Sequence, residues 1–306
     1  MIAPKYRDQV DLMIQLLPHI SKEPAFALKG GTAINLFVRN LPRLSVDIDL
    51  TYLSFDSRDI ALKNIQEALG RIKKNLESAI AGISVLTVPL NQGTDVKLNC
   101  QYNNAQIKIE VNTVTRGHFL PARLMQLTDV VQEEFGKFAA IQVVSHAELF
   151  GGKICAAIDR QHPRDLFDVK LLLDSEGFIK EVRHGLIVSM LSHYKPIHEL
   201  LSPIFKDQKS AFEAQFAGMS ELPFTYSDYE NTRLQLKKII LQSFSLSEKK
   251  LIYGFECGTP DWDLLPYNSI KNLPAVKWKL MNIHKLMKEN PSKHHAMTTL
   301  LEKVLY

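Results

Sequence analysis

Residues 26–53 read FALKGGTAINLFVRNLPRLSVDIDLTYL. Within this stretch, residues 44–53 alternate. Leu44, Val46, Ile48, Leu50 and Tyr52 fall on one side of an extended chain; Ser45, Asp47, Asp49 and Thr51 fall on the other. The period predicts a strand with one face toward a core and one face carrying two carboxylates. Upstream, Phe26-Ala27-Leu28 is a short apolar run, and Gly30-Gly31 breaks it. Thr32 to Arg39 then spaces Ala33, Leu36 and Phe37 as a helix face. Pro42 marks a turn. The unit is therefore strand, glycine pair, helix, strand.

The two aspartates stand two residues apart, so on a strand their Cα atoms lie about 6.5–7 Å apart and their carboxylates leave together. Such oxygens suit a pair of Mg²⁺ ions about 3.5–4 Å apart, one activating a hydroxyl and one neutralising a triphosphate. Mn²⁺ is the alternative ion. Glycines let backbone approach phosphate closely, and helix N-termini favour anions. An Asp-x-Asp pair alone says little. A second copy, Asp261-Trp262-Asp263, follows Pro260, lies on no alternating strand, and reads as a helix cap or loop.

Working outward, helices are expected over 5–20 and 57–78, and strands near 83–89, 94–102 and 105–114. In the last strand Ile107, Ile109 and Val111 share one face; Lys108, Glu110 and Asn112 share the other. Glu110 is the best third carboxylate, the plainer alternative being a strand residue paired with Lys97 or Lys108. Asn112 is a weaker ligand. Ser145 opens a helix through Arg160, with Glu148 as capping-box partner. Another helix runs from Arg164 to Leu173. From about 180 the pattern is mainly helical, punctuated by prolines. This order predicts an α+β fold: residues 1–178 as catalytic domain, 179–306 as a helical domain, divided near Glu176-Gly177.

Lys153 and Arg160 are seven apart and share a helical face. Lysine is a mobile point charge for a triphosphate, and arginine grips phosphate with two donors. Gly151 and Gly152 are expected to leave room for a ligand beside Lys153. The plainer alternative is a solvated cationic face. Arg164 and Asp168 are spaced for a surface pair, and Asp165 for a helix cap.

Composition excludes several classes. The chain has 306 residues, 45% hydrophobic and 23% charged, as in globular proteins with a sizeable core. No apolar run reaches membrane-spanning length and the N-terminus lacks a signal-peptide pattern, so a cytoplasmic protein without membrane contact is expected. Three distant cysteines, Cys100, Cys155 and Cys257, suggest neither zinc site nor disulfide framework. The histidines show no ligand spacing, and His294-His295 are expected to be exposed. Residues 264–306 hold seven lysines and two glutamates, a net +5 against +4 for the whole chain. That basic end either meets a polyanion or is a solvated helical surface.

Several of these stretches carry a resemblance. LKGGTAINLF (28–37) followed by RLSVDIDLTYL (43–53) resembles the AbiEii/AbiGii toxin family of nucleotidyltransferases, within the polymerase-β-like superfamily. LFGGKICAAIDRQHPRDLFDVKLLL (149–173) resembles that family's third and fourth motifs, and WKLMNIHKL (278–286) its C-terminal segment. The one departure is Gly31, where the wider superfamily often has serine. The resemblance implies a polymerase-β-like core, a small mixed sheet flanked by helices, with a helical region following. It implies transfer of a nucleoside monophosphate from an NTP to an RNA acceptor, the 3′ end of tRNA, with pyrophosphate leaving, and a cognate antitoxin as partner. The resemblance marks Lys153 and Asp168 as functional; with the residue reading above, the catalytic residues expected are Asp47, Asp49, Glu110, Lys153 and Asp168, and those for the nucleotide Lys29, Gly30, Gly31, Ser45, Lys153 and Arg160. The metal would rest on Asp47, Asp49 and Glu110. Two roles stay open for Asp168: holding Lys153 or Arg160, or positioning the acceptor. Two other functions stay open: nucleotidyl transfer to a small molecule or protein hydroxyl, and a non-catalytic module binding nucleotide or antitoxin. The intact Asp47, Asp49 and Lys153 count against the last.

Overall fold

The computed structural model describes residues 4–89 and 96–306. They form two compact units. One runs to Ser145 and takes in Ala217–Pro223; the other holds His146–Phe216 and Phe224–Tyr306. The division expected at 178/179 falls inside the second unit. Among the described residues no helix is long and apolar enough to cross a membrane.

The first unit begins with α1 (Pro4–Ile20), β1 (Phe26–Lys29) and α2 (Gly30–Ala33), which widens into a π-helical turn over Ile34–Val38. Then come β2 (Asp47–Tyr52), α3 (Arg58–Ala79), β3 (Ser84–Pro89), β4 (Val96–Tyr102) and β5 (Ala105–Asn112). It continues with β6 (Arg123–Gln126), α4 (Asp129–Phe135) and β7 (Ala140–Val143). The strands form one mixed sheet in the order β3-β4-β5-β2-β1-β7-β6. The pairs β2–β5 and β1–β7 are parallel, while β1–β2, β3–β4, β4–β5 and β6–β7 are antiparallel. The mixed α+β class is as expected. Residues 94 and 95 of the expected strand 94–102 lie outside the described residues.

Alternation decides which face is which. Ile48 and Leu50 of β2, Leu98 and Cys100 of β4, and Ile107, Ile109 and Val111 of β5 are fully buried. Helix α1 packs on β5 and β7, and α3 on β3 and β4. Each buried aliphatic side chain contributes about 1.5–3 kcal/mol. The opposite, part-exposed face carries Asp47, Asp49 and Glu110.

Strand β2 starts at Asp47, three residues later than the alternation suggests. The reason is tertiary: the Leu44 amide donates to the Met219 carbonyl (2.8 Å), and the Ser220 hydroxyl to that of Pro42 (2.8 Å), so 217–223 caps this segment. Short β6, α4 and β7 carry too few residues to show a period and were not foreseen.

The second unit contains α5 (His146–Arg160), α6 (Pro163–Ser175), α7 (Lys180–Leu191), α8 (Ile197–Leu201) and α9 (Lys209–Gln215). It closes with α10 (Tyr226–Ser243), α11 (Leu246–Glu256), α12 (Pro274–Glu289) and α13 (Pro291–Leu305). Helices α5 and α7 cross at unusually close range. A Cβ on Gly151 would lie 2.1 Å from the Gly185 carbonyl carbon, and one on Gly185 would lie 1.8 Å from the Ala147 carbonyl oxygen.

Candidate active site

In the first unit the site begins where β1 ends. Lys29 is extended, Gly30 turns the chain with φ of +75°, and helix α2 starts at once. Only glycine adopts that φ without strain. A Cβ at Gly30 would also stand 2.5 Å from Asp49 Oδ2. The Asp49 carboxylate thus lies against the corner from which α2 departs, and the first amides of a helix have no intrahelical acceptor.

Gly31 answers to a different neighbour. A Cβ there would lie 2.8 Å from Arg43 Nη2 and 2.9 Å from Ser45 Oγ. The volume that a serine would occupy is already held by these two side chains. Arg43 is buried, donates through Nη1 to the Leu44 carbonyl (2.7 Å), and donates its amide to Asn35 Oδ1 (3.3 Å). Asn35 in turn donates to the Gly31 carbonyl (2.8 Å). Thr32 donates to the Asp47 carbonyl (2.5 Å) and lies 3.0 Å from Ser45 Oγ. Helix α2 is therefore riveted to the start of β2 by Thr32, Asn35 and Arg43. The sequence reading missed all three; an arginine four residues before an Asp-x-Asp strand was the available signal.

Across the sheet, register brings charge together. Lys29 pairs with Asp49, Asp49 with Glu110, and Glu110 with Lys97, so a plus-minus-minus-plus row crosses four strands. Asp47 pairs with Lys108. Residues in register on neighbouring strands share a face about 4.8 Å apart. Lys97 Nζ bonds Glu110 Oε1 at 2.7 Å, the plainer alternative for Glu110. Lys29 Nζ donates to Thr115 Oγ1 (3.3 Å). Asn112 is spent elsewhere: its Oδ1 accepts the amides of Val114 and Thr115, both at 2.9 Å. Among the described residues no three His, Cys, Asp or Glu side chains are gathered for a metal ion. Asp47 and Asp49 are hard oxygen donors of the kind Mg²⁺ prefers, and such ions take their remaining ligands from phosphate and water.

In the second unit, the α5–α6 corner builds a charge cluster. Gln161 takes φ of +54°, and His162 caps α6 by accepting the Arg164 amide (3.2 Å). Lys153 Nζ bonds Asp165 Oδ1 at 2.8 Å and Asp168 Oδ2 at 3.0 Å. Arg160 grips Asp165 with Nε (2.5 Å) and Nη2 (3.0 Å). Asp165 and Asp168 are each 1% exposed. Burial pushes the Asp165 carboxyl up, but Lys153 and Arg160 outweigh it and hold it well below the usual carboxylate range. The cap expected at Asp165 belongs to His162, and Asp165 is the hub of the cluster. Asp168 touches Lys153. Two carboxylates leave Lys153 at most one of its three N–H donors for anything else.

Gly151 makes no room beside Lys153, because α7 backbone fills it; at Gly152 a Cβ would meet only Ser189 Oγ, at 3.9 Å. Asp261 accepts the Asp263 amide (3.2 Å) and caps a 3₁₀ turn, as its context indicated. All three cysteines are free, and burial pushes Cys100 and Cys155 up to about 12. His294 is half-buried, bonded to the Glu256 carbonyl (2.8 Å), whereas His295 is exposed.

The family model described as "Nucleotidyl transferase AbiEii toxin, Type IV TA system" matches residues 11–234. That span includes both clusters and ends before α12. Among solved structures, MenT4, a nucleotidyltransferase toxin from Mycobacterium tuberculosis H37Rv, is similar with a TM-score of 0.63 and 15% identity, over 92% of this chain and 95% of that one. No curated protein matches the chain in sequence.

Proposed function

The chain belongs to the AbiEii family of nucleotidyltransferase toxins of type IV toxin–antitoxin systems, and from that premise we propose that it transfers a nucleoside monophosphate from an NTP to an RNA acceptor, the 3′ end of tRNA. The observation that carries the reading is Asp49 lying against the Gly30 corner, with Asp47 leaving the same face.

The chain's own residues have these proposed roles. The backbone at Gly30 and Gly31, with Lys29 and Ser45, receives the triphosphate. Asp47 and Asp49 hold Mg²⁺, and Glu110 joins them by giving up Lys97. When bound, the metal supplies charge neutralisation at the phosphates and a more acidic acceptor hydroxyl. An aspartate or Glu110 accepts the hydroxyl proton. Lys153 and Arg160 are assigned to nucleotide phosphate; Asp168 and Asp165 are positioning residues that fix where the two cations stand. Such chemistry needs placement and electrostatics more than covalent work by the protein. The family implies a cognate antitoxin as partner.

The test is incubation with total tRNA, Mg²⁺ and each α-labelled triphosphate, beside Asp47→Asn. Label in RNA that the variant fails to add supports the reading. Label only in protein or in a small hydroxyl compound would move the acceptor there. No label in any RNA removes the tRNA assignment.

A further inference from the structure

Helix α12 carries four lysines and one glutamate between Pro274 and Glu289. The fold sorts them. Ala275, Val276, Lys279 and Ile283 face inward, buried. Lys277, Trp278, Met281, Lys285 and Lys288 are all exposed and, at 100° per residue, fall within about a third of the helix circumference. Trp278 is 61% exposed and Met281 52%. Lys285 lies 3.9 Å from Glu289, a contact at the limit of a salt bridge that is worth little when exposed.

A solvated basic helix face needs no exposed tryptophan beside its lysines. A large aromatic flanked by cations is instead the composition that binds nucleic acid strands: lysines follow the phosphates, and the ring stacks on a base. Lys279 makes the face a built one. Its ammonium turns inward and donates to the carbonyls of Met190 (2.9 Å) and Lys195 (2.8 Å), which sets the helix's rotation. It also ties α12 to the turn bearing Tyr194, a second aromatic, 81% exposed.

We propose that the outward face of α12 binds an unpaired segment of the RNA acceptor, with Trp278 stacking on a base and Lys277, Lys285 and Lys288 contacting phosphates. This rests on the RNA reading above and assigns the surface that serves it. Positive charge on the face fits a polyanion; an acidic protein partner is the competing occupant.

The experiment uses the full chain. Trp262→Phe leaves Trp278 as the only tryptophan of the two in the sequence. Titration with oligouridylate and with total tRNA should quench its fluorescence. Trp278→Ala should weaken binding roughly 5- to 150-fold, the worth of one stacked base. A Lys277→Glu, Lys285→Glu, Lys288→Glu variant should make the salt dependence shallower by about 2 in log–log slope. Unchanged affinity and slope in both variants, or quenching by polyglutamate and not by RNA, would overturn the proposal. RNA labelling by the wild type separates the two ideas. Labelling that persists equally in the surface variants sinks this face alone, while quenching without labelling sinks the transfer reading alone.

Discussion

Asp49 Oδ2 lies 2.5 Å from the point where a Cβ on Gly30 would stand. Carboxylate and glycine corner are one structure, so a change at either is felt at the other. Gly30→Ala must move Asp49 and also place alanine at a φ of +75°, at a backbone cost of about 1–2 kcal/mol. Nucleotidyl transfer should fall by roughly 100-fold or more, since displacements near 1 Å carry that penalty. Thermal unfolding should shift by only a few degrees. A variant with full turnover would show that Asp49 need not sit against the turn.

The pair Gly151 and Gly152 separates packing from ligand space. Gly151→Ala collides with α7 backbone and should destabilise by about 1–3 kcal/mol or more. Gly152→Ala meets only Ser189 Oγ, at an ordinary contact distance of 3.9 Å, and should stabilise α5 by up to about 1 kcal/mol. Urea denaturation of both variants checks the contrast, and equal effects would contradict the close crossing.

Asp165 holds two cations from a buried position. Asp165→Asn leaves Lys153 short of a charge partner and should cost about 3–5 kcal/mol. The Asp165 carboxyl is held below its unfolded-state value, so its contribution is fully present above about pH 4 and is lost as pH falls through the lower, folded value. The stability gap between wild type and variant should therefore be flat from pH 5 to 8 and shrink only in acid. A gap that closes near neutrality would mean another group sets it.

Lys279 runs the other way. Burial lowers it from 10.5 to about 8, against the opposing pull of Glu256 and Cys155. A lysine depressed in the folded state is bound by more protons when unfolded, so stability rises with pH between those two values. Relative to Lys279→Met, the wild type should gain up to about 3 kcal/mol between pH 8 and 10.5. A difference independent of pH in that window would show that the ammonium is not desolvated.

Much of the candidate site was legible because its signals are local. Alternation over 44–53 placed Asp47 and Asp49 on one face, and the glycine pair announced the corner before α2. The seven-residue spacing put Lys153 and Arg160 on one side of α5. What the chain cannot display along its length is which residue faces which. Strand β7 is four residues long, too short for a period, yet it extends the sheet beside β1. Arg43 carries no signal along the chain, and only the fold sets it against Gly31. Gly151 looked like ligand space until α7 filled it, and Lys279 looked like one more basic surface residue until the carbonyls of Met190 and Lys195 took its ammonium.

Backbone periodicity and turn chemistry follow from neighbours a few residues away, so strands, helices and the two-aspartate face could be read in one dimension. Partnership follows from packing between segments far apart in the chain. Hence only folding decided that Asp165 anchors the cluster, that Glu110 stands between Asp49 and Lys97, and that α12 turns one lysine in and three out.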